Sequence, residues 1–125
     1  MSTLREALVG GWELSSFSSV DTASGVVTHP FGAAPRGLIL YTADGYMSAQ
    51  LTDGSGSYIA YGGRFRVDED TATVLHEVSV SMLPELLASP QLRRATVDGD
   101  RLTLSATTTN SGVTSHSTLV WVRRR

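Results

Sequence analysis

Turn-forming glycines recur along the chain at strand-length intervals and leave little room for long helices. Asp44-Gly45, the loop Asp53-Gly54-Ser55-Gly56-Ser57, Asp98-Gly99 and Asn110-Ser111-Gly112 each interrupt a run suited to extended backbone. Such sequences supply the positive φ that tight hairpin turns require, so the runs between them read as antiparallel strands. Strands are expected near 12–20, 25–29, 36–42, 45–52, 59–67, 71–81, 91–97, 101–109 and 113–123. A short helix is expected over 2–8, capped by Ser2 or Thr3 and ended by Gly10-Gly11. A second helical turn or two is expected from Met82 to Ala88, starting near Pro84, whose fixed φ suits a first helical position.

Nine short strands joined mostly by tight turns form a meander, and 125 residues make one domain, 1–125. Closing the meander removes its edges, so the expected fold is all-β: an up-and-down antiparallel β-barrel of about nine strands, with the 83–88 segment crossing an opening. Barrels of this size are filled by side chains or hold one small ligand. Small residues at inward parity, namely Ser16 after Trp12 and Leu14, Gly63 between Tyr61 and Phe65, and Ser115 and Ser117 before Leu119 and Trp121, favour a central cavity.

Two polar side chains fall on the apolar side of their strands. In 71–81, His76 shares parity with Val74, Val78 and Val80, while Thr73, Glu77 and Ser79 share the other. A hairpin about Asp98-Gly99 that sets Val97 opposite Asp100 pairs Ala95 with Leu102 and Arg93 with Leu104. Arg93 then faces in, and Arg94, Thr96 and Arg101 face out. An inward polar group is costly without a partner, so the pair points to a cavity with chemical purpose. The alternative is a structural ion pair for Arg93 and a satisfied core position for His76.

Other chemistries are excluded or unsupported. The chain has no Cys, and all ten basic residues are Arg, so neither thiolate nor lysine Schiff-base chemistry is available. A net charge of -2 gives no footprint for nucleic acid, and no apolar run is long enough for a membrane span. No leader or lipidation motif is expected at the start, which implies a cytoplasmic location; the Arg, Ala and Gly usage suggests a GC-rich bacterial genome. His29, His76 and His116 lack metal-ligand spacing, Gly54-Ser55-Gly56 lacks the helix and Lys of a phosphate cradle, and no serine lies in a nucleophile elbow. No cofactor or metal is expected.

Several segments carry a family resemblance. They are 11–17 (GWELSSF), 30–37 (PFGAAPRG), 41–48 (YTADGYMS) and 60–65 (AYGGRF), followed by His76-Glu77-Val78, Ser81, Pro84, Gln91, Arg93 and the closing Leu119-Val120-Trp121 with Arg123. Together they resemble the bacterial and fungal lipocalin-like domain family over nearly the whole chain, departing at Ala88, where Gly is expected. The resemblance implies a small barrel with a central cavity, and similar barrels serve natural-product pathways as cyclases or isomerases. It carries polar positions onto Tyr61, His76, Gln91 and Arg93.

The leading function is a cofactor-independent cyclase or isomerase acting on an apolar, partly oxygenated, polyketide-like molecule. His76 would be its general acid or base, and Arg93 the cation that holds a developing oxyanion. The alternative is a carrier of a small hydrophobic acid paired with Arg93. Trp12, Tyr41, Met47, Tyr61, Phe65, Gln91 and Trp121 are the expected ligand-binding residues. A homodimer is also expected. In the hairpin about Asp44-Gly45, pairing Tyr41 with Tyr46 and Ile39 with Ser48 gives a core face of Leu38, Leu40, Met47 and Ala49 and leaves a second, moderately apolar face.

Overall fold

The structure, a computed structural model, describes residues 3–87 and 90–123; the alternative cap Ser2 and the departure at Ala88 lie outside the described residues. The chain forms α1 (Leu4–Leu8), β1 (Gly10–Asp21), β2 (Val27–Thr28), β3 (Arg36–Tyr41), β4 (Tyr46–Thr52), β5 (Tyr58–Asp68), β6 (Thr73–Ser81), a 3-10 turn (Pro84–Leu87), β7 (Gln91–Asp98), β8 (Arg101–Asn110) and β9 (Val113–Val122). β3 to β9 pair in chain order, and β1 pairs with both β3 and β9. The result is a closed eight-stranded antiparallel barrel, with β2 added as a two-residue flap on β1. No helix among the described residues is long and apolar enough to cross a membrane.

The two ends of the barrel are built differently. Trp12, Tyr41, Met47, Phe65, Val74, Ala95, Leu102 and Trp121 are all buried, and the antiparallel register brings them together at one end. α1 closes that end. Thr3 and Glu6 make a reciprocal capping box, Glu69 accepts from the backbone N–H groups of Leu4 and Arg5, and Leu8 is fully buried. Arg123 lies 4.0 Å over the Trp12 ring and donates to the carbonyls of Ala7 and Val9, while the Trp12 indole donates to Leu8. Cation–π contact and satisfied carbonyls thus tie the helix to both ends of the barrel wall. At the other end inward positions are only partly buried, and the 3-10 turn crosses the opening.

Four details of register differ from expectation. A bulge falls between Leu14 and Ser16, so Ser16 is exposed and Phe17 turns inward. In the β7–β8 hairpin Asp98 pairs with Arg101 and Ala95 with Leu104, a shift of two residues; an even shift preserves parity, so Arg93 still faces in. In the β3–β4 hairpin Tyr41 pairs with Met47 and Ile39 with Ala49, because Gly45, at φ +101, closes a three-residue loop. This odd shift puts Ile39 and Tyr41 in the core and leaves Leu38 and Leu40 outside. Finally, Gly63 does not leave room in the cavity. A Cβ there would lie 2.0 Å from the Glu77 carbonyl oxygen, because β6 bulges at Ser79 and the two backbones close together.

Candidate functional site

The inward side chains of the closed half fill their space, whereas those of the open half surround a cavity of about 190 Å³. Ile39, Ala49 and Leu104 form its floor, Phe17, Ile59 and Leu119 its walls, and Leu83, just before the 3-10 turn, and Leu86 within it form its partial cover. Pro84 starts that turn, and the Leu86 N–H donates back to the Leu83 carbonyl at 3.0 Å, which sets the two leucines one 3-10 turn apart. The lining is mostly apolar, with Tyr61, His76, Arg93, Thr108 and Ser117 as its polar members.

His76 is placed by β6 between Phe65 of β5 and Gln91 of β7 and is 1% exposed. Both ring nitrogens are engaged: Nε2 lies 2.7 Å from the Tyr41 hydroxyl and Nδ1 lies 2.9 Å from the Tyr61 hydroxyl. Burial, with the Arg93 charge adding to it, depresses the His76 pKa to about 3, so the ring is neutral near pH 7. Burial pushes Tyr41 well above the ordinary phenol value, aided by Tyr61 and opposed by Arg93; burial also raises Tyr61, again opposed by Arg93. Tyr41, His76 and Tyr61 are therefore a neutral hydrogen-bonded series that reaches the cavity at Tyr61.

Arg93 is half-buried on β7, while its neighbour Arg94 is exposed, as the alternation requires. One guanidinium nitrogen donates to the Leu92 carbonyl at 2.9 Å and another to the Gln91 side-chain oxygen at 3.4 Å. The ion pair found among the described residues joins Arg66 to Glu77 on the outer wall; none of their carboxylates lies within 4.0 Å of Arg93. Among the described residues, then, no ion pair holds Arg93 inward.

Of the residues singled out from sequence, His76, Arg93, Tyr61 and Trp121 line the cavity, and Gln91 braces Arg93. Tyr41 stands behind His76, with its ring edge-on to Phe65. Trp12, Met47 and Phe65 are packed in the closed half and do not line the cavity. Parity tells which way a side chain points but not how far along the barrel it sits. The lining of Phe17 was hidden by the bulge before it, while Leu83 and Leu86 were legible only as an apolar pair in the crossing turn. The Trp121 indole N–H is buried with no hydrogen-bond partner among the described residues. No group of three His, Asp or Glu among the described residues is placed to hold a metal.

The model of one family, described as a lipocalin-like domain, matches residues 9–55 and 53–124. The chain matches no curated protein.

Proposed function

The chain belongs to the lipocalin-like domain family, and from that premise we propose that its barrel binds a compact, largely apolar molecule whose oxygen-bearing head meets Arg93 and Tyr61. One observation carries this: a guanidinium lines an apolar cavity with two neutral oxygen partners and no carboxylate among the described residues. Placing a charge against apolar surface is costly, and an anionic or strongly accepting ligand offsets that cost through charge-assisted hydrogen bonds. Volume limits the ligand. A dry cavity of roughly 150 Å³ takes benzene, so 190 Å³ suits a monocyclic acid or a short acyl chain. A polyketide-length substrate needs the 84–87 turn to move aside.

Benzoate, ethylbenzene and benzylamine serve as probes, with binding followed by the Trp121 indole resonance. Benzoate should bind best, and Arg93→Met should weaken it by more than about tenfold while leaving ethylbenzene unchanged. Equal binding of benzoate and ethylbenzene, indifferent to Arg93→Met, would overturn the proposal.

Proton transfer is a second reading, favoured by the continuous Tyr41–His76–Tyr61 series. A histidine with a pKa of about 3 carries no imidazolium proton near pH 7, so Tyr61 would give its hydroxyl hydrogen to the ligand's carbonyl oxygen as it takes up the α-hydrogen, with His76 hydrogen-bonded behind it. A cofactor-independent isomerase or cyclase built this way would catalyse exchange of the α-protons of acetophenone in D2O, read by NMR. Exchange no faster than in buffer would leave a carrier.

A further inference from the structure

The imidazole of His76 is held from both sides, and neither the Tyr41 nor the Tyr61 hydroxyl has another hydrogen-bond partner among the described residues. A neutral imidazole offers one N–H and one lone pair, so one tyrosine must donate to the ring and the other must accept from it. The two arrangements are not equivalent, because Tyr41 is 2% exposed and Tyr61 opens onto the cavity. With the ring proton on Nε2, Tyr41 accepts it, and the hydroxyl hydrogen of Tyr41 is left with no acceptor in a site closed to water. With the proton on Nδ1, Tyr41 donates to Nε2, the ring donates to Tyr61, and the hydrogen left over is that of Tyr61. There, water or a ligand can accept it. Buried donors without partners are strongly disfavoured, which selects the second arrangement.

We propose that Tyr41 is a positioning residue: by donating to Nε2 it fixes His76 as the Nδ1–H tautomer, and so makes Tyr61 a hydrogen-bond donor toward the cavity. The Arg93 guanidinium also has donors and no lone pair. The polar end of the cavity therefore asks for a ligand oxygen with lone pairs and no hydrogen, a ketone, ester or carboxylate oxygen rather than an alcohol or amine. This choice of ligand rests on the binding reading above, whereas the tautomer does not.

The tautomer is read in the ligand-free protein. With 15N-labelled histidine, long-range 1H–15N correlation near pH 7 separates protonated from unprotonated ring nitrogens, and His76→Gln assigns the His76 signals among the three histidines. Nδ1 should carry the proton in the wild type, and Tyr41→Phe, which takes the donor away from the Nε2 lone pair, should move the Nε2 resonance toward that of an unprotonated ring nitrogen with no donor. A proton on Nε2 in the wild type, or an Nε2 resonance that Tyr41→Phe leaves in place, overturns the proposal. Acetophenone and ethylbenzene then test the consequence. Tyr61→Phe should reduce the preference for acetophenone by about fivefold, the scale of one hydrogen bond, with ethylbenzene binding unchanged. Equal losses for both probes would mean that Tyr61 only shapes the wall, and would overturn it. If neither probe binds the wild type, the binding reading fails and the tautomer still stands or falls on the NMR result.

Discussion

At the scale of single residues, burial has removed the charge that histidine ordinarily carries in mild acid. His76 titrates at about 3 in the folded barrel, against 6.5 for the unhindered side chain, with burial the larger cause and Arg93 the smaller. Below pH 6.5 the unfolded chain therefore takes up a proton that the folded chain refuses until pH falls to about 3. The stability contributed by neutral His76 is complete above pH 6.5 and declines as pH falls through that window, by about 1.4 kcal/mol for each pH unit. Denaturant unfolding at pH 7 and pH 5, with His76→Gln as the reference lacking this titration, isolates the effect. Wild type should lose about 2 kcal/mol more than the variant between those two pH values. An equal loss would show that His76 accepts protons in the folded state and is not sealed between its tyrosines.

At the scale of elements, the strands owe their positions to alternation and their faces to a few irregularities. Gly63 is fixed by one of them, since an added Cβ would meet the Glu77 carbonyl oxygen at 2.0 Å and the Ser79 nitrogen at 2.9 Å, both backbone atoms. Gly63→Ala should cost about 2 kcal/mol or more, because only a parting of β5 from β6 relieves the contact. Thermal unfolding checks this, and a variant as stable as wild type would mean that the bulge at Ser79 adapts freely. Ala106 makes the opposite case on β8, since it faces the cavity and not the packed half. Ala106→Leu should leave the melting temperature nearly unchanged while weakening benzoate binding at least several-fold, because the added carbons occupy empty space. A large fall in stability would show that this part of the barrel is already filled. These same irregularities set what the sequence could disclose. His76 and Arg93 were legible because Val74 and Ala95 alternate with them and no bulge intervenes between each pair. The β7–β8 register slipped by two without harm, whereas the slip of one at β3–β4 reversed Leu38 and Leu40. The bulge after Leu14 has no residue signature beyond ordinary serines, so Phe17 stayed hidden. The role of Tyr41 behind His76 depends on β3 and β6 meeting across the barrel, a contact that neighbouring-strand reasoning does not reach.

At the scale of the whole molecule, closure joins residues more than a hundred positions apart, as in the pairing of Leu14 with Trp121. Non-local pairing of this kind makes folding slow, on the order of milliseconds to seconds, and makes unfolding cooperative, since losing the β1–β9 seam opens the whole barrel. Tryptophan fluorescence from the seam and far-ultraviolet circular dichroism from the strands should give one common midpoint, and separated midpoints would show that the seam opens independently. Closure also decides what remains on the outside. The β3–β4 hairpin turns Leu38, Leu40 and Tyr46 outward at 47%, 44% and 49% exposure, on neighbouring strands of one continuous wall. Tyr46 is partly covered by the Arg64 guanidinium, 5.1 Å from its ring. A two-fold contact would lay this face on its own copy, burying apolar surface twice with a single set of residues. Light scattering at high protein concentration should then give twice the 13.3 kDa chain mass. Leu40→Glu, which sets two like charges against each other at such an interface, should return a folded monomer with its benzoate affinity intact. A wild-type monomer under the same conditions would remove the reason to assign this face to a second copy.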